Sequence, residues 1–180
     1  MRFFPILLFI IVSCGGKQPE PRKPIRYNTG SYLKESAAIN REIVKAEEKA
    51  ILQLIEADSV SIYQNSQDGF WYTFHKNMNK DTIFPQKGDL VIFEYNLLAL
   101  DGDTIYTQQE IGTKEYYIDE ERLFSGMRQG LKLMQEGEVA TFLFPSYKAF
   151  GYYGDQDRIG SNVPVKSTVT LKSIKPKQKL

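Results

Sequence analysis

Leu123, Met127, Leu131 and Met134 recur every three or four positions, so in a helix they share one face. This spacing predicts a short helix over 123–136. Gly137 marks its end, because glycine enters the left-handed conformation without steric cost. The next segment, 139–144, is β-branched and aromatic and predicts a strand that Pro145 stops. A helix this short is marginal alone, so its apolar face must lie on a sheet. Further strands are predicted at 69–75, 90–100, 103–107, 115–118 and 168–174. Asp101 followed by Gly102 is a hairpin signal. Residues 85–89 form a turn, and Gly151, Gly154 and Gly160 mark a long loop carrying Tyr152 and Tyr153. Strands around one short helix make 69–176 an α+β domain.

Upstream, Ile39, Ile43, Val44, Ala50, Ile51, Leu54 and Ile55 fall on one side of a helix over 36–58, within an amphipathic unit at 31–60. Its apolar face has three readings: packing on its own domain, pairing with a second copy, or docking on a partner protein. Residues 14–30 are rich in Pro, Gly and Lys and form a flexible tether, able to span roughly 40 Å when extended. Residues 1–13 combine Arg2 with an apolar run shorter than the about 20 residues of a membrane span. That run suits a signal peptide. Ile11, Val12, Ser13 and Cys14 resemble the bacterial lipobox, which implies cleavage before Cys14 and acylation of its thiol. The plainer reading is a secretory signal with an incidental cysteine. Several acyl chains anchor stably where one does not, at about 0.8 kcal/mol per buried CH₂. By resemblance to lipoprotein sorting in Gram-negative bacteria, Gly15 rather than Asp favours the outer membrane. The expected location is the bacterial cell envelope, facing the periplasm.

Charge changes the picture by what it excludes. With 23 basic and 22 acidic residues and no basic stripe, nothing calls for nucleic acid. Cys14 and His75 are the only residues of their kinds, which leaves no intramolecular disulfide and no basis for a zinc site or a histidine triad. Asp101 and Asp103 read as hairpin residues, because the rest of a calcium loop is missing. No cofactor or metal is expected. Eleven Tyr and eleven Phe point instead to an aromatic core or an aromatic-lined concave site.

The run GMRQGLKLMQEG at 126–137, a strand, then PSYKAFG at 145–151 and Val163-Pro164 before the closing strand occur in a family-like order. Over about 69–175 the chain resembles the FK506-binding-protein (FKBP) family of peptidyl-prolyl cis-trans isomerases. Its layout of anchor, tether, helix and C-terminal domain resembles the gliding-motility-associated isomerase lipoproteins. The resemblance implies a curved antiparallel sheet wrapped on the short helix, with a cavity of aromatic and aliphatic side chains between them. It assigns catalytic roles to Tyr95, Met127 and Phe150. It assigns substrate contacts to Ile105, Tyr106, Tyr116, Leu123, Phe124, Val163 and Leu171. The family usually has Trp at the position of Met127, Phe-Asp at Ile105 and Tyr106, and Tyr at Phe150, so polar contacts in the pocket are altered.

The activity so implied is rotation of X–Pro bonds in proline-containing polypeptides, with exported proteins as clients. Amide resonance sets a barrier of about 18–20 kcal/mol. An apolar pocket strips water from the planar amide and so favours the twisted one; no nucleophile is needed. The uncatalysed step takes tens to hundreds of seconds, so weak differential binding suffices. The alternative is the same fold used as a peptide-binding module, a chaperone or docking subunit with little turnover.

Overall fold

The computed structural model describes residues 29–76 and 83–177. In chain order the elements are α1 (Thr29–Ala57), β1 (Gln64–Asn65), β2 (Trp71–Lys76), β3 (Leu90–Tyr95), β4 (Leu97–Leu98), β5 (Thr104–Tyr106), α2 (Gln108–Ile111), β6 (Lys114–Tyr117), α3 (Ser125–Leu131), β7 (Val139–Phe144) and β8 (Val165–Lys175). The strands pair antiparallel in the order β1-β2-β7-β8-β3-β6, and off this path β4 pairs with both β8 and β5, forming a hairpin with β5. The α+β expectation holds. The signal segment 1–13, Cys14 and the tether lie outside the described residues, apart from Thr29 and Gly30, which already belong to α1.

Strand β7 explains why the sheet is covered on both faces. Successive side chains of a strand point to opposite sides. Ala140, Phe142 and Phe144 enter the main core with Phe70, Phe93, Val169 and Leu171, where Met127, Leu131 and Met134 meet them. Leu143 points the other way and packs with Trp71 against Ile51 of α1, flanked by Leu54 and Ile55. The carboxy-terminal half of α1 therefore packs on its own domain. Its amino-terminal half leaves Leu33 and Ile39 more than half exposed, at 68% and 55%.

The structure corrects three boundaries. The central helix stops at Leu131 instead of running to 136, because Leu133 and Met134 bond back to Gly130 and Leu131 in tight i→i+3 turns. Gly137 is left-handed, with φ of 83°, but it turns the chain into β7 and gives its N–H to the Leu171 carbonyl at 2.7 Å. The strand expected at 90–100 breaks at Asn96, whose side chain accepts the Thr168 N–H at 2.8 Å and so takes a ladder bond from the neighbouring strand. The closing strand is longer than expected and starts at Val165. Helix α2 was not expected. Thr107 caps it, accepting the Glu110 N–H while the Glu110 carboxylate accepts the Thr107 N–H.

Two glycines let α3 reach the sheet. A Cβ at Gly126 would lie 2.5 Å from the Phe144 ring and 2.9 Å from the Lys148 carbonyl; at Gly130 it would lie 2.9 Å from Phe142. Alanine would gain about 1 kcal/mol of helix propensity, but overpacking costs about 1–3 kcal/mol. At Gly126 a backbone oxygen blocks relief, so sterics win. Gly126→Ala should lower unfolding free energy by about 2 kcal/mol in urea titration, with Gly130→Ala losing less. A stabilised Gly126→Ala would refute this account of the packing.

Candidate functional site

Three of the anticipated site residues, Tyr95, Tyr106 and Phe150, line one cavity of about 280 Å³ between β3, β5, α2 and the loop at 150–155. Leu97, Ile111, Glu110, Lys114 and Asp155 complete its wall. Wider hollows lie along α1 and beside β2, where Val60, Ile62 and His75 are among the lining, and neither touches an anticipated site residue.

Each wall residue is placed by the sheet or core beneath it. Tyr95 ends β3 and stacks on Phe93, with ring centroids 5.5 Å apart. Burial pushes the Tyr95 phenol up, which keeps it a neutral O–H donor, and no hydrogen bond occupies that hydroxyl among the described residues. Phe150 lies 5.1 Å from the Phe124 ring, which meets Phe144 edge-on at 5.5 Å. The wall thus rests on the core through a relay of rings.

A polar tie closes one end. The Tyr106 hydroxyl donates to Asp155 Oδ2 at 2.6 Å, with Asp157 Oδ2 at 3.0 Å. The Arg158 guanidinium sits 4.8 Å over the Tyr106 ring and donates to the Ile105 carbonyl and to Glu110, each at 2.9 Å. The hydrogen bond to Asp155 raises the Tyr106 phenol to about 12. The Thr107 N–H, then the Thr107 hydroxyl and Arg158, hold the Glu110 carboxyl down at about 2. Burial pushes the Asp155 carboxyl up, but the Tyr106 hydroxyl and the N–H groups of Asp157 and Ile159 outweigh it and leave it below its usual range.

The other anticipated residues do not line this cavity. Ile105, Leu123, Phe124 and Val163 are half-buried and pack on the core. Tyr116, Met127 and Leu171 are inside it, at 4%, 0% and 0% exposure. They present almost no open surface. Glu110 was legible in principle, since Thr107 and Glu110 carry the capping-box spacing. Asp155 had no such signal, because its role depends on a loop meeting β5. Among the described residues no group of three or more His, Cys, Asp or Glu could hold a metal ion.

Residues 81–172 match the family model of FKBP-type peptidyl-prolyl cis-trans isomerases. The chain belongs to that family. It is 31% identical over 90 residues to the probable FKBP-type isomerase FkpA of Neisseria meningitidis, covering 50% of this chain and 33% of that protein. It is 39% identical over 72 residues to human FKBP10, covering 38% of this chain and 12% of that one. The chain thus spans a third or less of these curated relatives. Its fold matches that of FkpA from Escherichia coli, with a TM-score of 0.61 at 19% identity over 82% of this chain and 68% of that one. A peptidyl-prolyl isomerase from Pseudomonas syringae gives the same TM-score and identity, over 76% of this chain and 96% of its own. The matched residues 81–172 take in β3–β7, α3 and most of β8, and with them every residue that lines the cavity.

The tie should resist both acid and base. Glu110 has a depressed pKa, so its contribution is present above its ordinary value of 4.5 and is lost as pH falls through about 2. Tyr106 has a raised pKa, so its contribution is present below 10.0 and is lost as pH rises through about 12. The difference in phenolate absorbance between wild type and Tyr106→Phe should therefore inflect near 12. An inflection at 10.0 would mean that the hydroxyl is not held by Asp155.

Proposed function

We propose that this chain is a peptidyl-prolyl cis-trans isomerase acting on exported polypeptides, held in the bacterial cell envelope by acyl chains on Cys14. The observation that carries the reading is the cavity lined by Tyr95, Tyr106 and Phe150, where the Tyr95 hydroxyl has no hydrogen-bond partner among the described residues. About 280 Å³ accommodates a proline ring and its flanking amide. Apolar walls remove the water that stabilises the charge-separated planar amide. Twisting breaks the resonance and returns a lone pair to the prolyl nitrogen. A hydroxyl that donates to that lone pair binds only the twisted form, which is where binding accelerates a reaction. Tyr95 is assigned this donor role, and Phe150 the role of holding the ring against the wall.

The lipobox, Gly15 and the tether support an outer-membrane anchor facing the periplasm. The order of anchor, tether, helix and domain supports service to the gliding-motility apparatus. The exposed amino-terminal half of α1 supports contact with a second copy or a partner protein. A second reading has its own observation. Phe150 brings no hydroxyl and Tyr106 spends its own on Asp155, so a pocket in which Tyr95 fails to donate would bind peptide without turnover.

Exchange spectroscopy on a short X–Pro peptide tests both. Wild type starting after Cys14 should speed exchange. Phe150→Ala should cut kcat/KM at least about tenfold, mostly through KM. Tyr95→Phe should cut kcat about fivefold with KM unchanged, the size of one hydrogen bond made only in the transition state. Tight peptide binding with exchange no faster than in free peptide would replace the isomerase by the binding module.

A further inference from the structure

We propose that Glu47, on α1, is a positioning residue for the pocket: it fixes the turn that carries Phe150. The inference rests on the isomerase reading for its kinetic consequence, and on geometry for the rest. Glu47 is 7% exposed, and its two carboxylate oxygens accept from one residue 99 positions away. The Ser146 N–H donates to Oε2 and the Ser146 hydroxyl to Oε1, each at 2.7 Å. A carboxylate is costly to bury unless its oxygens are bonded. Of the other buried acids, Asp89 accepts the N–H groups of Gln86 and of Lys177, and Glu138 accepts that of Gln135. Glu47 alone among them reaches from α1 into the segment before Phe150.

That segment lacks a cap of its own. Pro145 precedes a tight turn over Ser146–Lys148 and has no side chain to accept its first N–H. Glu47 supplies the acceptor from another element. Within the turn, the Lys148 N–H bonds the Pro145 carbonyl and the Ala149 N–H the Ser146 carbonyl, each at 2.9 Å, and the chain then enters Phe150. On the opposite side the Lys148 carbonyl accepts the Ser125 hydroxyl at 3.2 Å and lies against Gly126. The turn is gripped between α1 and α3. Ile51, one helical turn beyond Glu47, is fully buried against Trp71 and Leu143, so the sheet sets where the carboxylate sits. Helix α1 is therefore part of the support of the pocket, in addition to whatever its exposed end contacts.

The two hydrogen bonds define the role more than the charge does. A glutamine can accept the Ser146 N–H and donate to the Ser146 hydroxyl, so it should hold the turn; alanine cannot.

The test is a set of double-mutant cycles in the chain starting after Cys14, with helix α1 retained. Glu47→Ala should lower kcat/KM about tenfold, and Glu47→Gln should stay within about threefold of wild type. The loss should be undiminished in a Tyr95→Phe background and absent in a Phe150→Ala background, because only the second removes what Glu47 positions. Ser146→Ala, which keeps the backbone bond, should lose about threefold with the same pattern and serves if Glu47→Ala does not fold. An undiminished loss in Phe150→Ala, or no loss in wild type, overturns the proposal. Amide hydrogen exchange judges the coupling apart from turnover. In Glu47→Ala or Ser146→Ala, protection of Lys148 and Ala149 should fall several-fold, roughly tenfold for Glu47→Ala, with β3 unchanged. A wild type without turnover would sink the isomerase reading alone; unchanged protection would sink this one.

Discussion

The Phe144 ring lies where a side chain on residue 126 would otherwise stand, 2.5 Å from a Cβ built there. Helix α3 can sit on β7 only because residues 126 and 130 are glycines. That approach brings Met127, Leu131 and Met134 into the core, and it leaves Phe142 and Phe144 stacked 5.5 Å apart at 6°. Phe144 supports Phe124, and Phe124 supports Phe150. Each ring contact is worth only about 0.5–1.5 kcal/mol beyond its burial. In series they still make the position of the pocket wall a consequence of how closely the helix meets the sheet.

The pocket is bounded differently at its two ends. The aromatic end is held by packing. The polar end is held by Tyr106, Asp155, Arg158 and Glu110, a network in which every charged group has a partner. Such a network adds little net stability at an exposed rim, but it joins the loop after Phe150 to β5 and so fixes the width of the cavity. It also commits the Tyr106 hydroxyl, which separates the two tyrosines by role although both line the same space.

Periodicity and turn signals revealed the sheet, the Asp101–Gly102 hairpin and the existence of the central helix, because those depend on local pattern. They overestimated that helix, since Leu133 and Met134 keep the spacing of a helix while being held by tighter turns. They missed the break at Asn96, where a side chain from one strand takes the N–H of another. The family resemblance pointed to Tyr95, Tyr106 and Phe150, which meet at the cavity. It named Tyr116, Met127 and Leu171 beside them, which lie in the core; sequence order says which residues neighbour a pocket but not which have open surface. Glu47 left a trace that was readable, an acid one turn before Ile51 on an otherwise apolar stripe. Its partner, 99 residues on, was not readable from pattern alone.

The fold leaves one question of chemistry that decides between turnover and binding. In the planar amide the oxygen carries the most negative charge, so a donor aimed at that oxygen stabilises the ground state and slows rotation. A donor aimed at nitrogen acts only after twisting. Apart from the tied rim and Lys114 the walls of this cavity are apolar or aromatic, and the tyrosine hydroxyl left without a partner among the described residues stands on β3 beside Phe93. In the proposed mechanism, turnover therefore depends on how the amide is oriented against Tyr95, and Phe150 is the residue assigned to set that orientation. The residues that hold Phe150, from Phe124 on one side to Glu47 through Ser146 on the other, are in this sense as much a part of the proposed site as the cavity wall itself.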